Sequence, residues 1–254
     1  MTQRSKTSYV ELKRSVYREY SCSYDEDRDR FVSGTALMER IDWALEPLAP
    51  GGSLLDLGCG TGQLLRQAVD RAQGPGLLAG LDLTPDMLRL ARLESGDGVS
   101  LVEGNAATAL PFREQSFDVI TGLNLVQELP TDAVPSLFDG VYRLLRPGGV
   151  FQAVIPCMAD KNPAADRFRQ LAQARGYMDF RYADGLEKLL LGMLGFVVKR
   201  TEFRPSTAAV NEAKGNVRFS MFSDILTDIK TEGLDPSQVQ QGVIFFSGRR
   251  GTDT

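Results

Sequence analysis

Residues 54–62 read LLDLGCGTG, an apolar run interrupted by Asp56 and followed by Gly58, Gly60 and Gly62 at alternate positions. Glycine tolerates positive φ and carries no Cβ, so a turn built this way lets a ligand lie against bare backbone. A strand before the turn and a helix after it would bring the helix's free amides to the same place, at the carboxyl edge of a sheet. Further along, GLDLTPDML (80–88) supplies a second carboxylate, Asp82, at the end of another apolar run.

Two ligand classes use such a turn, and they differ in charge. A dinucleotide places a pyrophosphate on it and prefers a third glycine or an alanine one step later, where Gln63 stands in this chain. Asp56 would then set a carboxylate near the phosphates. S-adenosylmethionine has no phosphate and carries an ammonium, a carboxylate and a sulfonium. Asp56 can help hold the ammonium while the turn's amides take the carboxylate, so the charges favour the sulfonium compound.

Short apolar runs alternate with segments of helical period from Ser53 to about Phe203, the pattern of successive βα units on a parallel sheet. Strands are expected at 53–57, 77–82, 99–103, 117–123 and 150–155. A helix carries Leu64, Leu65, Ala68, Val69 and Ala72 on one face and stops at Gly74-Pro75-Gly76. Thr84 can cap and Pro85 can open the next helix, to about Leu93. Thr131 starts another, with Val134, Leu137, Phe138, Val141, Leu144 and Leu145 facing the sheet, and RPGG (146–149) ends it. Helices are further expected from Asn162 to Arg175, closed by Gly176, and from an Asp184 cap to Leu194. The runs 196–203 and 242–247 are strand-like and suit an antiparallel edge. The fold class is therefore α/β, a doubly wound and mostly parallel seven-stranded sheet with an antiparallel edge strand. Residues 1–45 are expected to form a helical lid or cap, and 46–254 the doubly wound α/β domain with an insertion at about 204–241.

The composition excludes several functions. The 254 residues hold no histidine, which removes Ser–His and Cys–His nucleophile pairs and imidazole bases or ligands. With 29 Lys and Arg against 33 Asp and Glu, the formal charge of -4 provides no basic field for a nucleic-acid backbone. Cys22, Cys59 and Cys157 are odd in number and far apart, so neither a disulfide framework nor a zinc site is expected. No apolar run reaches the roughly 18 residues of a spanning helix. A cytoplasmic protein with no membrane or metal partner is expected.

LLDLGCGTG resembles the first motif of class I S-adenosylmethionine-dependent methyltransferases, and the elements that follow match that family in order over roughly residues 50 to 155. The resemblance implies S-adenosylmethionine as cofactor and S-adenosylhomocysteine as product. It assigns cofactor contacts to Asp56, Gly58, Cys59, Gly60, Gly62 and Gln63 around the turn. Asp82 takes both ribose hydroxyls, with Leu83 against the adenine face and Met87 nearby. In EGNAATALPF (103–112) the family's acidic contact to the adenine amine is replaced by Asn105, whose amide oxygen still accepts, and Ala106 gives the backbone contact. SFDVITGLNLVQELP (116–130) brings Asn124 near the methyl group, as a residue that orients substrate or cofactor. Small-molecule members often carry a His pair where this chain has Gln127 and Glu128, so Glu128 is the candidate base.

Tyr9, Tyr17, Tyr20 and Tyr24 fall before residue 25, and the last three share one helical face. They read either as a packed aromatic face or as a lid that brings Tyr24 or Phe31 near the sulfonium. The later insertion, with Phe219, Met221 and Phe222, is a wall of the substrate pocket or an oligomer contact, and a homodimer stays open. The function implied is in-line methyl transfer to a small-molecule O, N or C nucleophile, with no protein nucleophile. An NAD(P)-dependent oxidoreductase, a catalytically silent S-adenosylmethionine-binding protein and an RNA or protein methyltransferase remain as alternatives.

Overall fold

The computed structural model describes residues 6–25, 34–73, 76–175, 178–192, 195–205 and 217–252. The sequence expectations at Phe31, Gly74, Pro75, Gly176 and Leu194 lie outside the described residues, as do the side chains of Phe219, Met221 and Phe222. In chain order the elements are α1 (Lys6–Tyr20), α2 (Gly34–Leu45), β1 (Leu54–Leu57), α3 (Gln63–Ala72), β2 (Leu78–Asp82), α4 (Pro85–Ser95), β3 (Ser100–Glu103) and β4 (Phe117–Leu123). There follow α5 (Val134–Leu144), β5 (Leu145–Met158), α6 (Pro163–Ala174), α7 (Ala183–Leu191), β6 (Phe196–Pro205), α8 (Val217–Thr231) and β7 (Gln241–Arg250).

The strands make one seven-stranded sheet in the order β3-β2-β1-β4-β5-β7-β6. The pairs among β1 to β5 are parallel, whereas β7 runs antiparallel to β5 on one side and β6 on the other. The chain order reverses direction between β1 and β4. In an open parallel sheet, a crevice forms at such a switch point, outside the carboxyl ends of the strands.

Both faces of the sheet are covered, which is why the central strands read as nearly continuous apolar runs. Leu55 and Leu57 of β1 point into one core with Phe117, Phe138, Phe151 and Phe246. Leu54 points into the other core with Ile41 and Leu45 of α2 and Leu64, Leu65 and Ala68 of α3. Phe138 stands edge-on to Phe151 at 5.3 Å and to Phe246 at 5.9 Å, tying α5 to two strands.

Several element boundaries differ from the sequence expectation. β5 spans 145–158 where a strand at 150–155 was expected. It lengthens because β7 pairs with it from Val150 to Met158 and Phe117 pairs with Leu145, so partners on two sides carry the RPGG turn into the sheet. Helix α7 begins at Ala183 and ends at Leu191, because the Asp184 carboxylate accepts from the adjacent Gly185 N–H and does not cap, while Gly192 closes the helix. At Asn162 the expected cap is present: its Oδ1 accepts from Ala165 N at 2.9 Å.

Phe138 is 1% exposed, and truncating a buried phenylalanine usually costs about 3–5 kcal/mol. Phe138→Ala is expected to lose stability in that range in urea unfolding. Val197→Thr on the 52% exposed side chain of β6 should stay within about 0.5 kcal/mol of wild type.

Candidate functional site

The switch-point crevice is a cavity that opens to solvent. Its lining comes from five places in the chain. The turn after β1 gives Gly58 and Gly60, and the passage from the end of β2 into α4 gives Leu81, Asp82, Leu83, Thr84 and Met87. The segment after β3 gives Gly104 and Ala106, and the segment after β4 gives Leu123, Asn124, Leu125, Glu128 and Leu129. The amino-terminal segment adds Tyr9, Lys13, Tyr17 and Tyr24.

The turn is fastened to the neighbouring strand. Gly58 N and Cys59 N both donate to the Leu81 carbonyl, at 2.7 and 3.1 Å, and Gly60 N donates to Asp82 Oδ2 at 2.9 Å. Asp82 Oδ1 accepts from Thr84 N at 2.8 Å. Thr84 was expected to cap α4, yet its side chain makes no cap bond, because its N–H and hydroxyl both turn to Asp82. Gly62 sits at φ 84°, and a Cβ there would fall 2.9 Å from Ala91 Cα, so only glycine lets α3 approach α4 this closely. Gly60 sits at φ 53° with open space where its Cβ would be, on the cavity side.

One carboxylate stands in this surface and a second close behind it. Asp82 is 9% exposed, and burial raises its pKa against the lowering effect of its hydrogen bonds. Asp56 is 4% exposed, and its Oδ1 accepts from the Thr121 hydroxyl at 2.7 Å. Burial pushes Asp56 up to about 7, the Thr121 bond pulls it down, and the Asp82 charge adds to the rise. Cys59 is buried, and its thiol is held well above the usual range by burial first and then by the charges of Asp82 and Asp56. Neither Asp56 nor Cys59 lines the cavity, and neither does Gly62 or Gln63 at the start of α3. Asn105 is also outside the lining: its Oδ1 accepts from Ala107 N at 2.9 Å, shaping the loop that presents Ala106.

After β4 the chain turns sharply. Asn124 takes a left-handed conformation, φ 57°, with its N–H on the Val154 carbonyl at 2.8 Å. Gln127 Nε2 donates to the Asn124 carbonyl at 2.6 Å, while Asn124 Oδ1 is a buried acceptor with no hydrogen bond. Arg181 supports the turn from behind, donating to the Val126 carbonyl at 3.2 Å and pairing with Asp179 at 3.2 Å. Asp179 N in turn donates to the Gln127 carbonyl at 2.9 Å.

Helix α1 closes the remaining side. Tyr9 Oη donates to the Glu128 carbonyl, and Lys13 Nζ lies 2.6 Å from Glu128 Oε2 with both side chains nearly buried. Arg14 Nε donates to the Leu83 carbonyl at 3.2 Å, and Thr61 Oγ1 donates to Asp25 at 2.9 Å. Tyr17, Tyr20 and Tyr24 form a ring cluster, Tyr20 and Tyr24 edge-on at 5.1 Å. Lys13 did not stand out in the sequence. Its signal is spacing: it sits four residues from both Tyr9 and Tyr17, in phase on the same helical face. Among the described residues, no group of three or more cysteine, aspartate and glutamate side chains could hold a metal, and no helix is long and apolar enough to cross a membrane.

Residues 54–149 match the family model described as a methyltransferase domain. The chain is 37% identical over 122 residues to a demethylmenaquinone methyltransferase of Lactiplantibacillus plantarum, covering 46% of this chain and 48% of that protein. It is 32% identical over 154 residues to a ubiquinone biosynthesis O-methyltransferase of Pseudomonas paraeruginosa, covering 56% and 62%. The chain thus spans about half the length of the curated relatives it matches. In fold it is similar to a phosphoethanolamine N-methyltransferase of Haemonchus contortus in complex with phosphomonomethylethanolamine and S-adenosylhomocysteine, at TM-score 0.64 and 18% identity, covering 86% of this chain and 53% of that one.

The raised pKa of Asp56 makes stability depend on pH. An unfolded carboxyl group loses its proton near 3.8, whereas the folded chain keeps it to about 7. The stabilisation is full below the unfolded value and is lost as pH rises through the folded one. Asp56→Asn keeps an acceptor for Thr121 and removes the titration. Urea unfolding free energies across this window should show the variant gaining about 4 kcal/mol on wild type as pH rises.

Proposed function

We propose that this chain, whose central α/β unit is a class I methyltransferase domain, transfers a methyl group from S-adenosylmethionine to a small-molecule acceptor bound beneath α1. The observation that carries this reading is the Asp82 carboxylate. It stands in the cavity wall, fixed there by Gly60 N on one oxygen and Thr84 N on the other, with the Thr84 hydroxyl as a further donor. A pair of ribose hydroxyls can donate to this carboxylate, whereas a pyrophosphate in its place would meet a like charge. The methyltransferase names of the similar proteins support the same reading.

Bound S-adenosylmethionine would supply a methyl group already activated on a sulfonium. The chain's residues then have to hold, align and dry the reactants. In this reading Asp82 holds the ribose, Leu83 and Met87 pack on the adenine, and Ala106 gives the base a backbone contact. Asn105 acts through the loop it shapes. Backbone at Gly58 and Gly60 receives the amino-acid portion, with Cys59, Gly62 and Gln63 setting the turn's conformation. Asp56 contributes charge from beneath, since an arriving cation favours its ionised form. The unsatisfied Asn124 Oδ1 is the acceptor for a cofactor or substrate N–H or O–H. Glu128 takes a proton from acceptors that must lose one, and Tyr24 and its neighbouring rings exclude water.

Cell extract incubated with a labelled methyl donor should place label in a small molecule, and Asp82→Ala should lose about 100-fold or more of that rate, the scale of a lost charge-assisted pair. Label transfer undiminished in Asp82→Ala would remove the role given to this carboxylate.

A further inference from the structure

We propose that Lys13 selects the methyl acceptor by holding the oxyanion of a weakly acidic hydroxyl, a phenol or an enol, while Glu128 takes its proton. The inference rests on the methyl-transfer reading of the same cavity and adds the chemistry of the compound that enters. Lys13 Nζ and Glu128 Oε2 are 2.6 Å apart, with side chains 7% and 11% exposed, and both line the cavity. Burying two charges costs several kcal/mol, and apolar side chains of similar volume often hold a fold as well or better. A pair kept in a ligand cavity therefore points to the ligand.

The wall around the pair is apolar and aromatic, with Tyr9, Tyr17, Leu125 and Leu129, and suits a flat carbon skeleton with one polar edge. Charge decides what that edge is. An alkylammonium meets Lys13 as a like charge. A carboxylate arrives ionised and leaves Glu128 without a task. A neutral hydroxyl uses both partners: its proton passes to the Glu128 carboxylate, the oxygen keeps the electron pair, and the ammonium freed from Glu128 pairs with the new oxyanion. The step moves one negative charge from Glu128 to the substrate oxygen, so the net charge of the cavity is unchanged. Tyr9 does not replace Glu128 as base, because burial and then the Glu128 charge hold its phenol well above the usual value. It remains a donor, on the Glu128 carbonyl.

The test uses para-nitrophenol, whose phenolate absorbs apart from its neutral form, added to the protein with S-adenosylhomocysteine at a pH where the free probe is mostly neutral. Wild type should bind it as the phenolate, because an adjacent cation favours the charged form. Lys13→Met should weaken binding by about tenfold or more and leave the bound probe neutral, while Lys13→Arg should retain the phenolate signal. The inference is overturned by a wild type that binds no probe or binds it neutral, by an undiminished phenolate signal in Lys13→Met, or by para-nitrobenzylamine binding as tightly. Thermal stabilisation by S-adenosylhomocysteine is recorded for every protein. A wild type that it does not stabilise refutes the methyl-transfer reading itself, whereas one that is stabilised but shows no Lys13-dependent phenolate refutes this inference alone. If Lys13→Met is not folded, Lys13→Gln is read in its place.

Discussion

A buried carboxylate at the end of β2 organises the site. Asp82 is nearly out of water, and a buried charge must be met by hydrogen bonds or give up its ionisation. Two of those bonds come from backbone: Gly60 N from the turn after β1 and Thr84 N from the start of α4. The same carboxylate thereby fixes the glycine turn, orients the first turn of α4 and stands in the cavity wall. Without the turn in place, Asp82 would lack donors; without Asp82, the Gly60 N–H would lose its acceptor.

The opposite wall is built on the same logic of satisfied backbone. The chain after β4 turns through a left-handed asparagine, Asn124, whose carbonyl is held by Gln127. Arg181 takes the Val126 carbonyl from behind, and Tyr9 takes the Glu128 carbonyl from the front. Glu128 is thus presented on a turn clamped from both sides. Helix α1 reaches each part of the rim in sequence, with Lys13 on Glu128, Arg14 on Leu83 and Glu103, and Asp25, just beyond it, on Thr61. It is part of the site's walls: Tyr9 and Tyr17 on it, and Tyr24 beyond its end, line the cavity.

Much of this was legible in the sequence. The parallel βα core follows from apolar runs of strand length alternating with helical periods, and the glycine turn and Asp82 announce themselves by type and spacing. What could not be read depends on partners distant in sequence. β5 extends to Met158 because β7, which follows some eighty residues later, offers a pairing edge of matching length. Thr84 looks like a cap from its place before Pro85, yet a nearby carboxylate outcompetes the helix for its groups. Asn105 spends its amide oxygen on Ala107 N, a local turn bond that residue type alone does not reveal. Lys13 is one basic residue among many until the fold buries it against Glu128.

On the proposed function, the cavity bounded by the glycine turn and Asp82 receives the methyl donor. A crystal structure of the protein grown with S-adenosylhomocysteine tests it most directly. Density is expected for the whole ligand in that cavity, with both ribose hydroxyls on the Asp82 carboxylate and the sulfur facing Asn124 and Glu128. A ligand bound elsewhere, or one seated there with its ribose turned away from Asp82, would contradict it.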